Sequence, residues 1–373
     1  MNRVTAGSTG KPPLEFETVK SCDFEPLVAL SRSVFGFLPD GFSTSYFRWL
    51  YIDNPQGRPV IGNAMCQGNL VGHYALLPVR AWLEGRERIV GLGVNALTRR
   101  EFQGRAVFAR LAALVEKAAL REGISSAYVA PSPQSKLWFL NLLRFSEWSP
   151  LPLWVRPLRF APILSSFGLW GQRASSVARL GDVLLVPALR LAEARRNPRY
   201  LEIREVDDFG AEFENLWERE KKRFRFVISR TYEHLRWRFN TVPTRHYQIW
   251  GAYSQGQLVS YVVARVRQLE RFSGLRVGVI ADLFGRSDEI GLNGSRLLVA
   301  QVLRWLSHED VGLCMMQLVS PAFESALRAN GFFRVPEFFA ERRALLFRCF
   351  DAPPRLGIAS SEIHFAGGDH DMG

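Results

Sequence analysis

The 373-residue chain has little cysteine: Cys22, Cys66, Cys314 and Cys349 lie far apart, with no Cys-x-x-Cys pair among them. That spacing excludes a disulfide scaffold or a thiolate metal knuckle, and the four read as reduced core residues. Long apolar runs are also missing. No uncharged stretch reaches the roughly 18 residues of a membrane span, and the opening MNRVTAGSTGKPP lacks the continuous apolar core of a signal peptide. A cytoplasmic location is expected. Acids are scarce, 36 Asp and Glu against 48 Lys and Arg, for a formal charge of +12. The imbalance implies an anionic ligand, surface or partner without choosing between nucleotide, nucleic acid and lipid. Half of it sits in residues 151–200, where eight arginines face only Asp182 and Glu193, a net of +6.

What is present is core material. With 47% hydrophobic residues and 23% charged, the composition is globular, and the length suits two domains of roughly 150 to 200 residues. The chain also repeats itself. Residues 46–73 laid over 234–261, a constant shift of 188, agree at nine of 28 positions: Arg48/Arg236, Trp49/Trp237, Pro55/Pro243, Ile61/Ile249, Ala64/Ala252, Gln67/Gln255, Gly68/Gly256, Leu70/Leu258 and Val71/Val259. Flanking stretches match at a shift of 187, pairing Asn95 with Asp282. The expected organisation is a flexible N-terminus (1–13), a first unit (14–150), an Arg/Pro-rich connector (151–200), a second unit (201–350) and a C-terminal tail (351–373).

Periodicity orders the elements within a unit. Residues 14–19 alternate as a strand, 24–35 carry Leu27, Leu30 and Val34 at helical spacing, and Ser43 or Thr44 caps a short helix holding Arg48 and Trp49. A hairpin turns at Gln67-Gly68-Asn69 and a third strand spans 89–97. Val107, Leu111, Leu114, Val115 and Ala118 share one helix face, closed by Glu122-Gly123. A strand (124–129), the loop APSPQS and a helical LWFLNLLRF follow. The fold class is α+β, each unit a mostly antiparallel mixed sheet flanked by helices.

Between the third strand and its helix stands REFQGRAVFARL, residues 100–111. A polar Gly-containing loop feeding a helix offers backbone N–H groups and the positive end of the helix dipole to an anion such as a pyrophosphate. Here the unit resembles the GNAT superfamily of acetyl-coenzyme A-dependent N-acyltransferases, tandem two-copy bacterial type, related to FemABX-like transferases. Their phosphate loop reads Gln/Arg-x-x-Gly-x-Gly/Ala. The matching residues are Gln103, Ala106 and Phe108, so two of three positions depart from the pattern. The resemblance implies that Ala96, Leu97, Gln103, Gly104, Arg105, Ala106, Val107, Phe108 and Ser135 contact acetyl-CoA or another acyl-CoA, with no metal. In the second unit GRSDEIGLNGSRLL places acids and an expected Asn293 cap at the equivalent loop, which repels a diphosphate. The first unit is therefore expected to bind the cofactor and the second to close the acceptor site.

Direct attack of an amine on a thioester requires a proton acceptor. The family's acid on the third strand is replaced by Asn95, which cannot take a proton. Its repeat partner Asp282 is either a buried structural acid or a base, and His73 is either a hydrogen-bonded core histidine or a base suited to neutral pH. The family's tyrosine acid is absent, its positions being Leu140 and Leu327. Trp49 and Trp237 read as core anchors. His364, Asp369, His370 and Asp371 form a metal-like group in a Gly-broken tail of the kind that is commonly solvated. The expected activity is transfer of an acyl group, acetyl first, to a primary amine, with an amino sugar of cell-envelope polysaccharide biosynthesis suggested by the resemblance. Rivals are a FemABX-like transfer from aminoacyl-tRNA, which +12 would suit, and a degenerate binding module. DNA is not expected as a partner. Residues 151–200 either pack across both units or touch an anionic membrane surface.

Overall fold

In the computed structural model, residues 12–19, 23–36, 41–160, 162–163, 200–269, 272, 274–336, 343–351 and 358–370 are described. The suggested membrane contact of the Arg-rich connector falls mostly outside them, as does most of the expected flexible N-terminus.

The first half runs β1 (Glu15–Val19), α1 (Phe24–Phe35), α2 (Thr44–Tyr51), β2 (Val60–Cys66), β3 (Asn69–Leu83), β4 (Arg86–Thr98), α3 (Val107–Arg121), β5 (Ser126–Val129), α4 (Pro133–Leu137), β6 (Ser146–Pro150) and β7 (Leu153–Pro157). Caps set its helix boundaries: the Asp23 carboxylate accepts from the Glu25 N–H, Gly36 stops α1 in the left-handed region, and the Ser43 hydroxyl accepts from the Tyr46 N–H. The second half runs β8 (Glu202–Glu205), α5 (Ala211–Glu220), β9 (Phe226–Ile228), α6 (Tyr232–Leu235), β10 (Gln248–Ser254), β11 (Gln257–Leu269), β12 (Leu275–Gly285), α7 (Glu289–Leu306), β13 (Leu313–Val319), α8 (Pro321–Ala329), β14 (Phe333–Arg334), β15 (Ala344–Cys349) and β16 (Ile363–Ala366). β2 and β10, which the sequence alignment at a shift of 188 lays over one another, begin and end 188 residues apart. Their hairpins turn identically, with positive φ at Gln67-Gly68 and at Gln255-Gly256.

Two features tie the halves into one continuous sheet. The first is a reciprocal exchange of strands. β15 lies between β5 and β6 of the first half, while β7 lies between β13 and β14 of the second. The second is the path β3-β9-β16-β13, which joins the two meanders. Residues 153–157, inside the span expected as a connector, therefore form a strand of the sheet.

β16 and the turn after it correct the expectation of a solvated tail. β16 pairs in parallel with β9 through Ile363 and His364 and antiparallel with β13 through Phe365 and Ala366, which gives its buried backbone ladder partners on two sides. Ile363, His364, Phe365 and Ala366 are fully buried.

The first-half sheet is covered by α1 and α2 on one face and by α3 on the other. Gly62 and Gly72 let α3 settle closely on β2 and β3: a Cβ at either would come within 2.6 Å of Val115 or Val107. That close packing sets where the N-terminus of α3 meets the ends of the strands.

Candidate active site

β4 and β5 pair at only two positions, Gly91 with Ala127 and Leu92 with Tyr128. β4 then runs on to Thr98 along β3 with no further pairing to β5, which ends at Val129. Between the β3–β4 pairs Ala75/Val94 and His73/Leu97, Asn95 and Ala96 together oppose Tyr74, a bulge in which Asn95 has φ +53°. Ala96 is exposed at this bulge and Leu97 is buried beside it.

Past Thr98 a single helical turn leads into the loop. Gly104 (φ +78°) and Ala106 (φ +54°) are both left-handed, a tight turn that aims the backbone before α3 starts at Val107. No side chain caps α3, so its first N–H groups are open to an external acceptor. Gln103, Gly104 and Ala106 are exposed. Gln103 Nε2 donates across the loop to the Thr98 carbonyl at 3.4 Å. Arg105, read from sequence as a mobile cation, stacks over Phe102 and donates to the Pro12 carbonyl at 2.8 Å. Phe108, which replaces the motif's second glycine, turns its ring inward onto Tyr74 and Phe139. Nearby, Ser132 caps α4 and shares a 2.7 Å hydrogen bond with Ser135.

Behind the bulge lies a buried polar chain. Asn95 Nδ2 donates to Tyr51 Oη at 2.8 Å, Tyr51 Oη lies 2.9 Å from His73 Nε2, and His73 Nδ1 lies 2.8 Å from Asn63 Oδ1. The Tyr51 and His73 rings stack at 5.9 Å. Burial pushes the His73 pKa down to about 3, so the ring is neutral at ordinary pH. With Asn63 Oδ1 able only to accept, the proton sits on Nδ1, and Nε2 accepts from Tyr51. The structure thus brings His73 and Asn95 together through Tyr51, with the imidazole fully buried and both nitrogens engaged. Tyr51 and Asn63 were not singled out by sequence; the shared repeat register was the available signal, because their counterparts are Phe239 and Gly251.

Asp282 lies in a different cluster. Its carboxylate accepts from Tyr261 Oη at 2.7 Å and from Arg230 at 3.1 Å, and Arg230 also donates to Asp369 at 2.8 Å. All of these groups are buried. Burial works against ionisation of Asp282, but Arg230 and His364 together outweigh it and hold the carboxyl below the usual range. For Asp369, burial and then the Asp282 charge outweigh Arg230 and push the carboxyl up. His364 is 3.9 Å from Asp282 and bonds Ser320 through Nδ1, while His370 bonds Gln317. No group of side chains suited to a metal occurs among the described residues.

The second half lacks the first half's opening on two counts. The Asp288 carboxylate caps α7 by accepting from the Gly291 N–H at 2.9 Å, so the cap is Asp288 rather than the expected Asn293, whose amide donates to Tyr200. Where β12 parts from β13 after Ile280/Met316, β16 bonds the outer end of β13 and the Gly367–Asp369 turn closes in. A Cβ on Gly368 would be 3.1 Å from the Ala281 carbonyl.

No protein-family profile matches the sequence. No curated protein matches it either. Solved structures are similar. A GCN5-related N-acetyltransferase from Anabaena variabilis superposes with a TM-score of 0.60 at 11% identity, covering 90% of this chain and 73% of that one. N-myristoyltransferase of Saccharomyces cerevisiae with bound myristoyl-CoA gives 0.60 at 14%, covering 93% and 82%. A probable N-acyltransferase from Enterococcus faecalis gives 0.60 at 10%, covering 91% and 73%. The chain has the GNAT fold, a mixed sheet flanked by helices. Among the described residues no helix is long and apolar enough to cross a membrane.

Proposed function

We propose that the chain is an acyl-CoA-dependent N-acyltransferase whose first half holds the donor. The observation that carries this is the contrast between two equivalent helix starts: α3 is uncapped behind a left-handed Gly104–Ala106 turn, whereas α7 is closed by its own Asp288. A diphosphate suits the first and is repelled by the second. The backbone of Gly104 to Phe108 would hold that diphosphate, with Gln103 bracing the loop and Ser135 flanking it on α4. Bound there, the donor supplies a thioester whose acyl carbon is open to an amine. Ala96 and Leu97 lie on the part of β4 beyond its last pair with β5, where backbone N–H groups can stabilise charge on the acyl oxygen.

The acceptor in this reading is a primary amine, with an amino sugar of the cell envelope as first choice. Acetyl is the first acyl group to test, and the myristoyl-CoA held by the yeast structure makes a long chain the second. Incubating the protein with labelled acetyl-CoA or myristoyl-CoA and a cell extract should yield a labelled N-acyl amine. Labelled product from neither donor would count against the proposal.

A further inference from the structure

Resting on the acyltransferase reading, we infer that Tyr51 is a positioning residue which, backed by His73 and Asn63, fixes the side-chain amide of Asn95 so that its Oδ1 faces the attacking amine. An asparagine amide is nearly symmetric in shape, so only its partners decide which end is the donor. Here the decision is passed along from the far end. Asn63 Oδ1 can only accept, which places the imidazole proton on Nδ1. His73 Nε2 can then only accept, which makes Tyr51 the donor at 2.9 Å. With its proton committed, Tyr51 Oη receives the Asn95 Nδ2–H at 2.8 Å. Asn95 Oδ1 is the end left over, and it has no partner among the described residues. Asn95 stands in the bulge at φ +53°, next to exposed Ala96, on the part of β4 beyond its last pair with β5. An acceptor atom at that point suits the N–H of an amine approaching an acyl group held on Ala96 and Leu97.

The repeat supplies an internal control. At the four equivalent positions the second half has Phe239, Gly251, Tyr261 and Asp282, and Tyr261 donates straight to Asp282. No member of the chain is retained, and this is the half whose helix start is capped and whose strand opening is filled. A polar chain kept only for packing would have no reason to follow the open site.

The test combines turnover with a readout that needs none. Thiol release from acetyl-CoA or myristoyl-CoA with a pool of amino sugars should fall about 10- to 100-fold in kcat for Tyr51→Phe, with the KM for the donor within about twofold. His73→Gln, which can still accept from Tyr51 and donate to Asn63, should keep far more activity than His73→Leu. In protein with 15N-labelled histidine rings, His73 should be the neutral Nδ1–H tautomer from about pH 5 to about pH 9, and Tyr51→Phe should shift its Nε2 signal and the Asn95 side-chain amide. Unchanged kcat in Tyr51→Phe after correction for folded fraction, or an Nε2–H or titrating ring, would overturn the inference. No calorimetric heat from wild type with either donor would instead defeat the acyltransferase reading itself. Should no amine in the pool accept, the ring spectrum alone decides.

Discussion

Trp49 and Trp237, related by the 188-residue repeat, bond each other's backbone: Trp49 Nε1 donates to the Trp237 carbonyl at 2.9 Å and Trp237 Nε1 to the Trp49 carbonyl at 3.2 Å. Their rings stack 4.9 Å apart at 20°. The pair is a reciprocal exchange between the two halves of the chain. Trp237→Phe removes the indole donor to the Trp49 carbonyl, Trp49→Phe leaves the Trp237 carbonyl with the Thr241 hydroxyl at 3.1 Å, and either change thins a buried stack. Trp49→Phe should therefore cost about 1–3 kcal/mol in urea unfolding, and the double variant with Trp237→Phe should cost less than the sum of the singles because both share one contact.

The exchange of β7 and β15 means that neither half can complete its sheet alone. Chains of this length commonly unfold domain by domain. Here tryptophan fluorescence and far-UV circular dichroism should report one coincident transition. Two separated transitions would contradict the interlocked sheet.

Ala106 occupies the left-handed region at φ +54°, ψ +24°, and its methyl group can form no hydrogen bond to offset that. Such a conformation costs a non-glycine residue roughly 1 kcal/mol. Ala106→Gly should raise stability by about 0.5–1 kcal/mol, read as a higher urea midpoint at unchanged slope. A lower midpoint would show that the loop is not strained there.

Stability should fall on mild acidification. His73, His234 and His364 are buried with pKa values pushed down to about 3, about 3 and about 4, by burial first and, for the latter two, by Arg230 as well. The unfolded chain takes up these protons near pH ~6.5 while the native chain does not, so their contribution is present above that pH and lost as pH falls toward the folded values. Asp369, raised in the fold, works the other way: native protonation precedes unfolded protonation, and stability is gained as pH falls through its raised value. Asp282, lowered in the fold, loses its contribution only at much lower pH. Three groups against one leave a net loss of about two protons, or ~2.7 kcal/mol per pH unit, over part of the window from about pH 6.5 to about pH 4. Urea midpoints across that window measure it, and His73→Gln should flatten the slope by about one proton. A flat profile would mean that these histidines are not buried neutral.

Local signals were legible in the sequence. The repeat register located the Trp49/Trp237 pair, leucine spacing gave α1 over the same residues as the structure, and Gln67-Gly68 marked the hairpin. Partnerships across long sequence separations were not. Nothing local says that β15 will pair with β5, or that a Gly-broken tail will find ladder partners in β9 and β13. Tyr51 and His73 are 22 residues apart, one at the end of α2 and the other in β3, and meet only in the folded chain. The α7 cap was legible but missed: Asp288 stands three residues before Gly291, the spacing a capping side chain needs.

The central claim is that a diphosphate settles on the start of α3 and nowhere else in the repeat. Isothermal titration of acetyl-CoA and of myristoyl-CoA into wild type and Ala106→Asp tests it, since aspartate accepts a left-handed backbone and places a carboxylate at the loop. Binding of one donor molecule per chain in wild type, lost in the variant while its circular dichroism is unchanged, is the expected result. Binding that survives the variant, or two donor molecules per chain, would contradict it.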